Sequence, residues 1–302
     1  MNTVADYRNQ TITRHALRGL FLDLLAEARS HLNALHAKAD PQELKAYRNS
    51  VGKLTALVRE FGECMDSDIH TLLMGELDAL RRPTDSLWDD ERILGHLDDY
   101  RSMVRPQEHT TLMETTKELE ESRHAALGKV RDFVRSSEYR NILTVLNDLC
   151  NEEKFYSRCS LNPLSTVLAE KCGRRLEALQ NQAAAMLPDS SKKEWRRLGT
   201  QVDQLRYTLK AFAHLLDDEA ARTVRRRLGK LAKTLHGLDS LTHQITRIET
   251  AFPAERKSIS IILTILGLEK RHLRKKALKQ AARLSDPEFL EAFGRLITPP
   301  SA

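Results

Sequence analysis

The sequence is poor in glycine, proline and aromatic residues. Its 302 residues include 12 glycines and 9 prolines, and aromatic residues make up 5%. Glycine and proline interrupt regular structure, and aromatic residues favour strands, so this composition favours long helices over sheets. The hydrophobic share of 41%, beside 30% charged residues, is typical of a globular chain and excludes a disordered one.

Cysteines and long apolar runs are scarce as well. The four cysteines, Cys64, Cys150, Cys159 and Cys172, form no C-x-x-C pair and no disulfide framework. We expect free thiols that act as small buried hydrophobic groups. The longest strongly apolar stretch, residues 259–268, is far too short for a membrane span, and the N-terminus has no signal-peptide segment. The sequence therefore predicts a cytoplasmic protein with no membrane span.

The motifs of common enzymes are missing. Neither a Gly-rich phosphate loop, nor a G-x-S-x-G elbow, nor an H-E-x-x-H pair occurs. The pairs Asp89-Asp90 and Asp98-Asp99 are adjacent residues, which point apart on a helix, so we interpret them as solvent-exposed surface. The 11 histidines show no spacing suited to zinc or iron. The sequence thus predicts no enzymatic activity, no metal site and no cofactor.

Apolar residues recur at intervals of three and four in every segment, as in amphipathic helices. The pattern predicts an all-α protein. Helices are expected over about 17–35, 41–61, 68–81, 88–104, 108–135, 137–150, 163–186, 195–212, 218–237, 254–284 and 287–296. Asp40 and Ser136 are expected as N-caps, either Asp217 or Asp218 as a third, and Gly237 as a C-cap. The polar residues 151–162 are interpreted as a connection.

The two halves of the chain resemble each other. LKAYRNSVGKLTALVREF (44–61) and WRRLGTQVDQLRYTLKAF (195–212) both carry an aromatic residue, leucine and valine at helical spacing, and a closing phenylalanine. The similarity predicts a diverged internal duplication. We expect two similar antiparallel helical bundles related by a pseudo-two-fold axis. They would form one domain over residues 12–296, with halves of about 12–151 and 160–296.

Positive charge is concentrated in the second half. Residues 152–302 hold 28 Lys and Arg against 17 Asp and Glu, a net of +11, whereas the first 151 residues have a net of −5. Two predicted helices carry cations on one face, a candidate track for an anion: Arg222, Arg226, Lys230, Lys233, Lys275 and Lys279. The alternative is a solvated basic face that binds nothing. DNA, RNA, an anionic membrane and inorganic polyphosphate all fit the charge, but no base-reading motif occurs, which favours a base-free phosphate polymer.

The order of elements resembles the CHAD domain, the conserved histidine α-helical domain of polyphosphate-binding proteins. The resemblance covers about residues 12–296. The family's pattern H-x-x-R-x-x-x-R-R-x-R, followed by a closing Phe, falls on residues 45–61 and again on 196–212. Residues 136–140 (SSEYR) resemble its S-x-x-Y-R helix start, and the ending LGLEKRHLRKKALKQAARL resembles its last long helix. Both namesake histidines are replaced, by Lys45 and Arg196.

The resemblance implies a pair of four-helix bundles that bind inorganic polyphosphate in a basic groove and associate with polyphosphate granules. Asp203 places an acid among the pattern positions. The residues expected to bind the polyanion are the basic pattern positions Lys45, Arg48, Lys53, Arg196 and Arg206, with Arg222, Arg226, Lys230, Lys275 and Lys279 as an extended rim. The alternative is a helical interaction scaffold that has lost this site and binds a protein. Convergence of the pattern residues on one groove would favour the first, and pairing with acids such as Asp203 the second.

Overall fold

Helices make up nearly the whole described structure. The computed structural model describes residues 13–96, 101–102, 106, 109–151, 163–213, 216, 218–251 and 257–297. No strand occurs among these residues, so the all-α prediction is confirmed.

In the first half, six α-helices are described at length, and residues 101–102 are helical as well. The six helices are α1 (Thr13–Lys38), α2 (Pro41–Glu60), α3 (Ser67–Arg81), α4 (Asp85–Leu94), α5 (His109–Arg135) and α6 (Ser137–Asn151). The described part of the second half contains five. They are α7 (Leu164–Ala185), α8 (Lys192–Ala211), α9 (Asp218–Ala251), α10 (Lys257–Ala282) and α11 (Pro287–Ile297).

Side-chain caps fix where several helices begin. The carboxylate of Asp40 accepts the N–H of Gln42 at 2.8 Å, with Pro41 in the first turn of α2. The hydroxyl of Ser136 accepts the N–H of Tyr139 at 3.1 Å at the start of α6. Both caps were predicted from the sequence, and each satisfies an N–H group that the helix itself leaves unpaired. A capping box between Ser191 and Glu194 opens α8 in the same way.

Some sequence-based expectations are wrong. Asp90, interpreted as solvent-exposed surface, is buried, and its carboxylate accepts from the hydroxyl of Ser122 at 2.7 Å. The helix predicted over 88–104 begins at Asp85 and ends at Leu94, because a 3-10 turn continues directly into α4 and Gly95 follows its last residue. Gly237 does not end a helix, since α9 continues through it to Ala251 with helical backbone. A Cβ at Gly237 would lie 3.2 Å from Cδ1 of Leu273. The glycine therefore allows close packing of α9 against α10 rather than a turn.

Several predicted features lie outside the described residues. These are the connection over 152–162 with Cys159, the Asp98-Asp99 pair and the side chains of both candidate caps, Asp217 and Asp218.

One large hydrophobic core contains side chains from both halves, from Leu17 to Leu296. At its centre the phenylalanines that follow α2 and α8, Phe61 and Phe212, meet edge to face with ring centroids 5.6 Å apart. Both rings are buried. A smaller cluster joins Ile93 of α4 to α9 and α10. The proposed duplication and the domain limits stay predictions.

Ion pairs between α7 and the end of α2 cover this core. The carboxylate of Glu60, nearly buried, lies 2.6 Å from the guanidinium of Arg175. Lys171, also nearly buried, donates to Glu63 at 3.1 Å and lies over the Phe61 ring. These contacts join α2 to α7 beside the phenylalanine pair.

The cysteines depart in part from the prediction. Cys150 and Cys172 are free and buried, as expected. Cys64 is buried but disulfide-bonded, so the expectation of a free thiol is wrong at this position. The spacing of cysteines along a sequence does not reveal which of them the fold brings together.

Candidate functional site

Helices α2, α4, α8 and α9 bring basic side chains together. Each of the pairs α2–α4, α2–α8, α8–α9 and α4–α9 is in contact. The Nε of Arg92, on α4, donates to the hydroxyl of Ser240 on α9 at 3.1 Å. Burial lowers the pKa of the Arg92 guanidinium. The carboxylates of Asp239 and Asp89 oppose this shift, and the positive charges of Arg48 on α2 and Arg196 on α8 add to it to a smaller extent. We call the place where these cations meet the basic cleft, defined by Arg48, Arg92, Lys192 and Arg196.

Trp88 holds two of these arginines in place. The guanidinium carbon of Arg48 lies 5.3 Å from the centroid of the Trp88 ring, and that of Arg92 lies 5.8 Å from it. Such cation–π contacts orient a guanidinium without neutralising it. The chain has two tryptophans, and the other, Trp195, lies under the guanidinium of Arg274 at 5.9 Å. Both tryptophans are therefore placed to report on events at or beside the cleft.

His243 forms part of the wall of the cleft. It makes a hydrogen bond with Arg196, whose Nε donates to Asp239 at 3.0 Å. Burial holds the pKa of His243 below its usual value, against the attraction of Asp239, and the charges of Arg196 and Lys192 act in the same direction as burial. A proton on His243 is disfavoured in the empty cleft, and an anion bound there would favour it.

More positive charge lies where α8 begins. Burial lowers the pKa of Lys270 on α10, and the charges of Arg274 and Lys192 add to this effect. Arg274 donates to the carbonyl oxygen of Pro188 at 3.1 Å. Lys192 is thus close both to Arg196 with its partner His243 and to Lys270, so that positive charge extends from the cleft towards α10.

Carboxylates partly neutralise the cleft. Arg48 lies 2.8 Å from Asp85, a carboxylate that Arg81 also approaches to 2.6 Å. Arg196 has Asp239. Both carboxylates are more than a third exposed, and ion pairs of this kind contribute between about 0 and 1 kcal/mol. A bound polyanion could displace them without a large loss.

The structure brings together only some of the predicted pattern residues. Arg48 and Arg196 both lie near Arg92, and exposed Lys45 lies one turn before Arg48 on the same side of α2. Lys53 instead pairs with Glu27 on α1 at 3.2 Å. Arg206 pairs with Asp203 at 3.2 Å.

Lys53 belongs to a different concavity. It lines a pocket of about 200 Å³ between α1, α2 and α8, together with Tyr207 and Lys210. The Tyr207 hydroxyl donates to the side-chain oxygen of Asn49 at 2.9 Å, and Arg206 lies over the Tyr207 ring. Pairing with acids, which the scaffold alternative expected, occurs at Arg48 and Arg196 as well as at Lys53 and Arg206. The approach of Arg48 and Arg196 to Arg92 is what the binding hypothesis expected.

The predicted rim residues are all exposed. Arg222, Arg226 and Lys230 lie on α9, and Lys275 and Lys279 on α10. Within the described part of the chain, none of these five side chains pairs with a carboxylate. They offer free positive charge outside the cleft.

Arg92, Trp88, Lys192 and His243 were not predicted from the sequence. One signal was available: Trp88 and Arg92 stand four residues apart, on one side of a helix. Nothing in the sequence shows that this side faces Ser240, 148 residues further along the chain.

The described residues show neither a metal centre nor a membrane span. They contain no group of three or more His, Cys, Asp or Glu side chains that could hold a metal ion. No helix in the same part of the chain is both long and apolar enough to cross a membrane.

A family model places the chain among known proteins. The model of the CHAD domain matches residues 20–249. The chain belongs to the CHAD family. The match includes all the residues of the basic cleft and indicates no catalytic family. The CHAD family is linked in general to polyphosphate binding.

Solved structures show the same fold. This CHAD protein is similar to PptA from Streptomyces chartreusis, with a TM-score of 0.67 and 16% identity over 94% of this chain and 100% of the other. It is also similar to the CHAD domain from the plant Ricinus communis, with a TM-score of 0.65 and 14% identity over 97% of this chain and 95% of the other. No curated protein sequence matches significantly.

Proposed function

We propose that this protein binds inorganic polyphosphate in the basic cleft without catalysing a reaction. One observation carries the proposal. Arg48 and Arg196, from two helices of similar sequence, both lie close enough to Arg92 for their charges to act on it, and Arg48 and Arg92 contact the same Trp88 ring. Such a concentration of positive charge favours an anion, which would relieve the repulsion.

The chemistry of the cleft suits phosphate. Guanidinium groups present several N–H donors in one plane and bind phosphate oxygens in pairs. Trp88 orients two of them in advance, which lowers the entropy lost on binding. The ring is already covered by Arg48 and Arg92, so it is not free to stack a nucleobase. This favours a base-free phosphate chain over single-stranded nucleic acid.

The scaffold alternative keeps one supporting observation. Lys53 and Arg206, both expected to bind the polyanion, are held by Glu27 and Asp203. If these two positions are representative, the protein binds a protein partner instead. Granule association and cytoplasmic location would follow from polyphosphate binding and stay predictions.

A titration with polyphosphate, followed by tryptophan fluorescence, tests the proposal. The variant Arg48→Gln/Arg92→Gln/Arg196→Gln should bind at least tenfold more weakly, because three lost contacts of about 0.5 kcal/mol or more each together reach the roughly 1.4 kcal/mol of a tenfold change. The matched control replaces exposed cations of α5 and α6 with the same loss of charge: Lys129→Gln/Arg135→Gln/Arg140→Gln.

Circular dichroism and thermal melting should show both variants folded. Equal affinity of the cleft variant and the control would contradict the proposal. Failure of the wild type to bind polyphosphate at physiological salt would favour the scaffold alternative.

A further inference from the structure

Four exposed cations follow one side of α9. Arg222, Arg226, Lys230 and Lys233 are spaced by four, four and three residues, and we call them the α9 stripe. Within the described residues, none of the four pairs with a carboxylate. Arg227, by contrast, is tied to Asp286 at 2.9 Å and to Glu288, at the start of α11. Arg227 thus stabilises the packing of α9 against α11, whereas the four cations of the α9 stripe have no carboxylate partner among the described residues.

The α9 stripe leads into the basic cleft. Ser240, which accepts the hydrogen bond from Arg92, lies seven residues after Lys233 and eighteen after Arg222. At about 100° per residue these intervals are close to whole turns, so all three positions share one side of α9. At 1.5 Å per residue, Arg222 lies roughly 27 Å along the helix from Ser240.

The acid beside this path is already neutralised. Asp203 on α8 lies 3.2 Å from Arg206 and 2.6 Å from His236, which stands between Lys233 and Ser240 on α9. The guanidinium of Arg206 and a ring N–H of His236 both face this carboxylate and offset its charge. Asp203 therefore presents a weaker barrier to an anion than an unpaired carboxylate would.

The cations of α10 lie on a different surface. Gly237 of α9 packs against Leu273, which marks the side of α10 that faces α9. Arg271, Lys275 and Lys279 are turned by roughly 160°, 200° and 240° from that side. All three are exposed, and they point away from α9. These three cations therefore provide a matched control for the cations of the α9 stripe.

We propose that a polyphosphate chain too long for the cleft continues along the α9 stripe, so that the protein prefers long chains to short ones. This inference rests on the proposed function. Once one part of a chain occupies the cleft, contact with the stripe is intramolecular, and the overall affinity rises without a new independent binding event. Four cations in the cleft predict a salt slope of about −3 for a short chain, and eight predict about −6 for a long one, by analogy with single strands.

The test compares tripolyphosphate with long-chain polyphosphate in isothermal titrations at several salt concentrations. The stripe variant is Arg222→Gln/Arg226→Gln/Lys233→Gln, and the control is Arg271→Gln/Lys275→Gln/Lys279→Gln. The stripe variant should lose at least tenfold in affinity for the long chain and flatten its salt slope by about 2. Its affinity for tripolyphosphate should stay within about twofold of wild type, since these contacts lie roughly 10 Å or more from Ser240 along the helix.

The outcomes separate the two claims. If tripolyphosphate and long chains bind wild type with the same salt slope, or if stripe and control variants lose equally, the inference is wrong while the proposed function stands. If neither ligand binds the wild type, the proposed function fails, and the inference fails with it.

Discussion

On the proposed function, Asp239 competes with a bound anion for the cations of the cleft, and Asp239→Asn should therefore raise the affinity for polyphosphate. Its carboxylate accepts from Arg196 at 3.0 Å and also attracts Arg92 and His243. Asparagine keeps the shape and an acceptor oxygen for Arg196, but it removes one negative charge from the place where phosphate would bind.

The size of the effect follows from exposure. The side chain of Arg196 is 47% exposed and that of Asp239 is 38% exposed, so their pair is screened and contributes at most about 1 kcal/mol. Removing this competition should strengthen polyphosphate binding by roughly two- to fivefold, since 1.4 kcal/mol corresponds to a factor of ten. Arg196 is already one of the four cations of the cleft, so the salt slope should stay near −3 while the affinity rises.

Isothermal titration at three or more salt concentrations measures both quantities. The matched control is Asp286→Asn, which removes one partly exposed carboxylate from an ion pair with Arg227, outside the cleft. Asparagine remains a good residue at the start of a helix, so α11 should persist. Weaker binding by Asp239→Asn, or an equal gain in the control, would refute the reasoning.

Three further predictions concern single groups. The pKa of His243 is lower in the folded protein than in the unfolded chain, so the unfolded chain binds more protons and the free energy of unfolding should fall as the pH drops below about 6.5. Denaturant melts at several pH values should show a smaller fall in this free energy for His243→Asn than for the wild type. Identical pH profiles for the two proteins would contradict the lowered pKa. Burial raises the pKa of Cys150 and Cys172 to about 12, so peptide mapping after iodoacetamide treatment at pH 8 should find both unmodified in folded protein and alkylated in unfolded protein. A Cβ added at Gly229 meets no other atom, so Gly229→Ala should stabilise the helix by about 0.5–1 kcal/mol. A Cβ at Gly237 would lie close to the Leu273 side chain of α10, so Gly237→Ala should stabilise the protein less. An equal rise in melting temperature for both variants would contradict the tight packing at Gly237.

Local sequence signals predicted most helices and their caps. Periodicity located α2 and α8, and the Asp40 and Ser136 caps follow from residue type alone. Gly237 was misread because glycine propensity indicates a helix end, while close packing against α10 determines its position here. The end of α4 was misplaced because an apolar pattern continues past Leu94, although the helix does not.

The site was harder to predict than the fold. The family pattern identified Arg48 and Arg196, but Arg92 reaches the cleft through a contact with α9 that spans 148 residues. Lys53 and Arg206 fitted the same pattern, yet carboxylates hold both of them. Glu27 lies on a different helix from Lys53, and helical spacing alone does not show whether Asp203 engages Arg206. Charge patterns along a sequence do not reveal which cations tertiary contacts neutralise.

The most direct test of the account is the salt dependence of tripolyphosphate binding. The wild type should give a slope of about −3, since four cleft cations each contribute about −0.7. The variant Arg48→Gln/Arg92→Gln/Arg196→Gln should give a slope near −1, with the α5 and α6 control unchanged. A slope that stays near −3 in the cleft variant would place the bound anion elsewhere and contradict the central claim.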